Sequence, residues 1–311
     1  MLRTMRWLFA LSFPAAAFAQ DPPADPVTEA VGEEIAFVDS LQRMTVPVAI
    51  AGAGPFRFIV DTGAERTVVS RELALRLQLP PGRDVRLTAT TGTTSVGTVQ
   101  IPSLSVGDPA KFRSTTRIEA PALHAVHLGA LGILGLDTLQ GQKVTIDFDR
   151  QIMSVTPSVK RRTPRAAPDE IVVTARSVLG QLVVADARYK GQSVRVILDT
   201  GSAVSLGNAA LRARLASADA GRSKDIELIS VTGGTLRAGY TQIGSVSLGD
   251  MRFENLPIAF AEIAPFGKLG LTNRPAILLG MDALRLFRRV DIDFANREVR
   301  LRMPRSFRMD L

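Results

Sequence analysis

FIVDTGAERTVVS occupies positions 58–70, and VILDTGSAVSLG occupies 196–207. Each is an apolar run that ends in Asp-Thr-Gly, and the second Asp follows the first by 138 positions. Such a run carries its last residue out of a core, and Thr-Gly after it signals an abrupt turn whose glycine admits close backbone approach. One such Asp, taken alone, reads as a local cap for turn amides. Two in equivalent surroundings read differently, because pseudo-twofold packing of two copies brings like loops together at the axis.

Further matches support a duplication. VTGGTLRAGYTQIGSVSLGD (231–250) aligns with TTGTTSVGTVQIPSLSVGD (90–108) at an offset of 142. ILLGMDALRLFRRVDIDFANREVRL (277–301) aligns with GILGLDTLQGQKVTIDFDRQIMSV (132–155), with Gly135 and Gly280 separated by 145. Three blocks in the same order, at a slowly growing offset, are the mark of an old repeat with small insertions. TPSVKRRTPRAAPDE (156–170) lies between the copies, rich in Pro and charge, and reads as a linker.

Within each copy, short runs such as MTVPVAIA, FRFIVD, RLTAT and KVTIDF are rich in Val, Ile and Thr and bounded by Gly, Pro or Asp, so they read as strands. QLVVADARY, SVRVILD, IELISV and RVDIDF are their counterparts. SRELALRLQL (70–79), with Ser70 as N-cap, and NAALRARLAS (208–217) read as helices. DTLQG and DALRLF read as short helices capped by Asp137 and Asp282. The expected fold is all-β: two similar β-barrel lobes related by a pseudo-twofold axis, with a few short helices. The boundaries read from sequence are a signal peptide at 1–19, a leader at 20–34, an N-terminal lobe at 35–156, a linker at 157–169 and a C-terminal lobe at 170–311.

The signal reading rests on Arg3 and Arg6, the apolar stretch WLFALSFPAAAF and Ala17-Phe18-Ala19 as a small-x-small cleavage site. About twelve apolar residues interrupted by Pro14 fall short of the roughly 20 that span a bilayer. The expectation is a periplasmic or secreted product without stable membrane insertion. The chain has no Cys, which excludes disulfides, thiolate metal sites and a cysteine nucleophile. Its net charge is +8, and basic runs at 159–165, 285–289 and 300–308 come without aromatic platforms, so they read as solvated surface and linker, not as a nucleic-acid face. His124 and His127 are the only histidines, and no Gly-x-Ser-x-Gly accompanies them. They read as loop residues, without a serine-hydrolase triad or a third metal ligand.

Two carboxylates held about 3 Å apart cannot both ionise, so they share a proton and supply a general base and a general acid together. The residues that carry this resemble the retropepsin-like aspartic proteases, in a bacterial single-chain, duplicated form, with pepsin-like enzymes as more distant relatives. That family is the known example of the shared proton. DTGA at 61–64 is similar to the viral motif, DTGS at 199–202 is closer to the pepsin type, and ILG (133–135) and LLG (278–280) match the segment that packs behind the Asp loop.

The resemblance implies Asp61 and Asp199 as the catalytic pair holding a water. It implies Thr62 and Thr200 cross-linking the loops, and Gly63 and Gly201 admitting the substrate backbone. Gly92, Gly233 and Gly234 fall in hairpins that resemble flaps over an extended peptide. Ala64 faces Ser202 and Glu65 faces Ala203 across the repeat, so Ser202 is expected to bias the shared proton and Glu65 to bind substrate on one side. Leu136 and Met281 stand where viral enzymes carry Arg, and no flap tyrosine exists in the first copy; Tyr240 lies beyond the second tip. The implied function is an exported aspartic endopeptidase acting on extended polypeptides as a monomer, without metal or organic cofactor. The alternative is a non-catalytic peptide-binding or scaffolding protein on the same fold. A zymogen, with 20–34 covering the cleft, is a third reading.

Overall fold

The computed structural model describes residues 33–36, 38–40, 43–106, 113–114, 117–215 and 223–304. The expected signal segment and leader residues 20–32 lie outside them. Glu33 and Glu34, read from sequence as the end of the leader, belong to the strand Glu33–Ala36, which pairs antiparallel with Ile152–Pro157.

Alternation builds the strands. In Arg43–Ile50 every second residue, Met44, Val46, Val48 and Ile50, is fully buried, and Phe56, Phe58 and Val60 face the same core from Ala53–Val60. Val194, Val196 and Leu198 repeat the pattern in Gln192–Leu198.

The sheets repeat as well. In the first half, the order across the sheet is Pro81–Ala89, Gly92–Ile101, Ile118–Leu123, Val68–Ser70, Gly132–Leu134, Ala53–Val60, Arg43–Ile50 and Leu104–Val106. In the second half it is Lys224–Ile229, Thr235–Ile243, Leu256–Phe260, Leu206–Gly207, Ala276–Leu279, Gln192–Leu198, Gln181–Tyr189 and Val246–Leu248. These run position for position. Both halves contain the same two parallel pairings in an otherwise antiparallel order. Gly132–Leu134 lies parallel to Ala53–Val60, and Ala276–Leu279 to Gln192–Leu198. Each half is therefore one lobe of a duplicated all-β fold, with short helices at its edges.

The halves also share a layer. Glu33–Ala36, Ile152–Pro157, Gln142–Asp147, Arg289–Asp293, Glu298–Arg302 and Glu170–Val178 lie side by side, and its central antiparallel pair, Gln142–Asp147 with Arg289–Asp293, takes one strand from each copy. Val144, Ile146, Val290 and Ile292 bury its inner face. Thr145 donates its hydroxyl to Asp291 across the pair.

This layer also holds the connecting segment. Ser158 donates to Asp293 Oδ1 at 2.5 Å, the Arg161 amide donates to Asn296 Oδ1 at 3.0 Å, and Arg300 reaches the Pro164 carbonyl at 2.8 Å. The basic runs are engaged in part: Arg300 lies between Glu298 and Glu170, whose side chains are almost fully buried, and Arg289 pairs with Asp291 at 3.0 Å, while Lys160, Arg162 and Arg165 are exposed as expected and residues 305–308 lie outside the described residues. Cations withdrawn from water in this way need carboxylates beside them, which composition alone does not reveal.

Helix Arg71–Arg76 has Ser70 as its cap, accepting from the Leu73 amide. The second expected helix covers only Ala209–Arg212, capped by Asn208, and part of the expected range lies outside the described residues. Asp137 and Asp282 are not the caps expected; Gly135 and Gly280 occupy those positions, and the carboxylates turn inward for reasons given below. Among the described residues, no helix is long and apolar enough to cross a membrane.

Because the central layer belongs to both halves, its loss is expected to unfold them together. Ile146→Ala should cost about 2–5 kcal/mol, the usual range for a fully buried Ile. Calorimetry should show one transition moved to lower temperature. A split into two transitions would mean that the halves unfold independently.

Candidate active site

Two equivalent strands end at the site. The Asp61 amide donates to the Leu134 carbonyl and the Asp199 amide to the Leu279 carbonyl, both at 3.0 Å, so each Asp leaves the sheet from the same register. The threonines that follow interlock. Thr62 Oγ1 donates to the Leu198 carbonyl (2.9 Å) and accepts from the Thr200 amide (3.2 Å); Thr200 Oγ1 donates to the Val60 carbonyl (2.7 Å) and accepts from the Thr62 amide (3.1 Å). Both residues are buried, so all four bonds are shielded from water.

Behind each loop stands a second brace. Asp137 Oδ1 accepts from the Thr67 amide (2.8 Å) and hydroxyl (2.7 Å), while Asp282 accepts from the Ser205 amide (3.0 Å) and hydroxyl (2.7 Å). These inward bonds tie both carboxylates to the preceding loop, although Asp282 Oδ1 also accepts from the Ala283 amide of its own helix at 2.8 Å. Burial raises the Asp282 carboxyl above the ordinary aspartate range, against the pull of its Ser205 bonds. A Cβ on Gly135 would fall 2.4 Å from the Arg66 carbonyl carbon, and one on Gly280 2.6 Å from that of Val204. Only glycine admits this approach, so the apolar-apolar-Gly segments do press on the Asp loops.

Gly63 and Gly201 have a different reason to lack side chains. A Cβ on Gly201 would lie 2.1 Å from Asp61 Cγ, and one on Gly63 2.7 Å from Asp199 Cγ, so each carboxyl occupies the space the opposite glycine leaves. Asp61 Oδ1 accepts from the Gly63 and Ala64 amides at 2.8 Å, and Asp199 Oδ1 from the Gly201 amide at 2.8 Å. The two side chains hydrogen-bond to each other. Burial first, and then the negative charge of Asp61, push the Asp199 carboxyl well above the ordinary aspartate range; the Gly201 and Ser202 amides only partly oppose this. An adjacent pair of this kind can hold one proton and offer a base and an acid to one reacting group.

The pair lies at the wall of a cavity of about 520 Å³. Two hairpins reach over it and dock crosswise. Thr90, at the tip of the first, accepts from the Ala264 amide of the second half at 3.2 Å. Gly233, in the second tip, lies against His127 of the first half, and Gly234 lies against Thr91. Gly92 stands just past the first tip, with open space where a Cβ would be. Tyr240 lies down the second hairpin, paired with Lys224 and Ala259.

Several assignments change in detail. The Ser202 hydroxyl donates to the Val204 carbonyl at 2.8 Å, and it is the Ser202 amide that faces Asp199. Glu65 lines the cavity and is paired with Lys268 across the halves at 2.7 Å. Ala64 also lines it. His124 is held by Arg71 and Glu72 at the surface, while His127 lines the cavity.

Sequence reasoning missed two participants. Buried Gln181 donates its side-chain amide to the Gly63 carbonyl, and Lys268 partners Glu65. Both reach from the second half into the first, and no local pattern announces such contacts. The Asp137 and Asp282 braces did leave a signal, the repeated G-x-D of ILGLD and LLGMD.

A family model described as "Aspartyl protease" matches the chain in two segments, residues 46–138 and 185–283. Each contains one Asp-Thr-Gly and one apolar-apolar-Gly segment. No curated protein matches the chain.

Folding keeps a proton on Asp199 that the unfolded chain releases near pH ~4. That contribution is complete below the unfolded value and is lost as pH climbs through the folded one. Thermal unfolding of the wild type should therefore lose stability as pH rises from about 4, and Asp199→Asn should flatten the slope. Parallel profiles for the two proteins would contradict the shared-proton geometry.

Proposed function

The chain belongs to the aspartyl protease family, and from that premise we propose that it is an exported endopeptidase that hydrolyses extended polypeptides with Asp61 and Asp199. The observation that carries this is the pair of hydrogen-bonded carboxyls on loops locked by Thr62 and Thr200, beside a cavity roofed by two hairpins.

In this reading a water lies between the carboxyls. The ionised member takes its proton as the water attacks the scissile carbonyl carbon, while the protonated member donates to the carbonyl oxygen, so that charge never builds up on that oxygen. Asp199 is the member whose surroundings favour the proton. Collapse of the tetrahedral intermediate returns a proton to the leaving nitrogen and breaks the C–N bond. The amides of Gly63 and Ala64 hold Asp61 in place through these steps. Hairpin edges supply backbone donors and acceptors for an extended peptide, which favours backbone recognition over any one side chain.

Export rests on the sequence of residues 1–19. Each half brings one Asp, so a single chain completes the site and the active species is a monomer. The mature protein is expected to cut an unfolded protein mixture between pH 3 and 8. Asp61→Asn and Asp199→Asn should each lower turnover by at least about 10²-fold at unchanged folding. Peptides bound but never cut by the wild type would replace the enzyme by a peptide-binding protein on the same fold.

A further inference from the structure

A second cavity, about 640 Å³, opens beside the first, and Glu65, Arg66 and Lys268 line both. Arg117, Glu119 and Asp137 complete its charged wall. Three cations and three anions cancel formally, but they are not equally available.

Each anion is already engaged. Glu65 pairs with Lys268 at 2.7 Å, and Asp137 is held by Thr67. Glu119 accepts from the Arg83 guanidinium (3.1 Å) and amide (3.0 Å) and from Thr98 (3.1 Å), and the Arg83 bonds keep its carboxyl down at about 2, so it stays ionised. Among the cations, Lys268 is taken. Arg66 and Arg117 are exposed and have no hydrogen-bond or ion-pair partner among the described residues. What the cavity offers a visitor is therefore two guanidinia, each able to grip a carboxylate in a fork.

The repeat makes this charge one-ended. Positions 65 and 66 correspond to Ala203 and Val204 in the second copy, and Leu206 and Leu278 continue that wall of the main cavity. At these equivalent positions one flank of the paired Asp residues is charged and the other is apolar, with Glu227 and His127 also lining the main cavity. A pseudo-symmetric frame thus acquires a direction, because an extended peptide meets different chemistry on either side of the reacting bond.

We propose that the side cavity is a subsite for an acidic side chain of the polypeptide substrate, gripped by Arg66 and Arg117, with an apolar side chain taken on the opposite flank. This rests on the peptide-cleaving reading for the identity of the ligand, although the grip itself is a binding property.

The test uses end-blocked peptides that differ only by Glu or Gln at one position, scanned along the chain so that no terminal carboxylate contributes. Binding is measured by fluorescence anisotropy on full-length Asp199→Asn protein, and cleavage is followed with the wild type. At one position on one side of the cut, the Glu peptide is expected to bind about tenfold tighter than its Gln twin, as a charge-assisted bond allows. The gap should shrink with added salt. It should close when Arg66→Gln and Arg117→Gln are added, and persist in part with Lys at both positions. Equal affinities at every position, or a gap that survives the Gln replacements, overturns the subsite. A Glu preference in binding with no peptide cut by the wild type upholds the subsite and removes the endopeptidase. Cleavage without any Glu preference does the reverse.

Discussion

Four buried hydrogen bonds, two between Thr62 and Thr200 and one from each of their hydroxyls to the carbonyl of Leu198 or Val60, determine where everything else at the site must lie. Each threonine hydroxyl donates into the strand that leads to the opposite Asp and accepts from the opposite threonine amide, so neither loop can shift alone. In water such bonds exchange with solvent at little net gain; here, removing one hydroxyl leaves a buried carbonyl and amide unsatisfied. The lock brings Gly63 and Gly201 against the opposite carboxyls, and the absence of two Cβ atoms is what lets the carboxyls meet. Proximity and burial then do the chemical work by making a second ionisation unfavourable.

The same frame is built twice but finished differently. Strand order, the two parallel pairings, the glycines behind the loops and the inward Asp braces all recur. They obey backbone and packing constraints that a duplicated chain inherits. Side chains facing the cavity are free of those constraints, and there the copies diverge: Glu65 against Ala203, Arg66 against Val204, Ala64 against Ser202. Symmetry joins the paired Asp residues, and its loss in the walls leaves different side chains on their two sides.

Much of this was legible in the sequence, because the decisive features are local. The two Asp-Thr-Gly turns, the alternating strands around them, Ser70 as a cap, and Gly135 and Gly280 as close-approach positions all reside in short stretches with a physical reading. What escaped depends on partners remote in the chain. DTLQG and DALRLF look like capped helices until Thr67 and Ser205 come within reach of their Asp side chains. Arg289 and Arg300 look solvated, like the exposed Lys160 and Arg162, until Glu298, Glu170 and Asp291 lie beside them. Gln181 opens an ordinary strand, and only the packing of the halves brings its amide to Gly63. The layer shared by both halves is likewise a matter of register between strands almost 150 positions apart, which no periodicity encodes.

The proposed chemistry rests on the sharing of one proton between the two carboxyls. It is tested most directly by carbon-13 NMR of labelled Asp side chains, titrated from acid to neutral pH, with Asp61→Asn and Asp199→Asn used to assign the resonances. A shared proton gives two mutually dependent steps, the later one well above the ordinary aspartate range and abolished as a coupled pair by either replacement. Two independent titrations at ordinary aspartate values would contradict it.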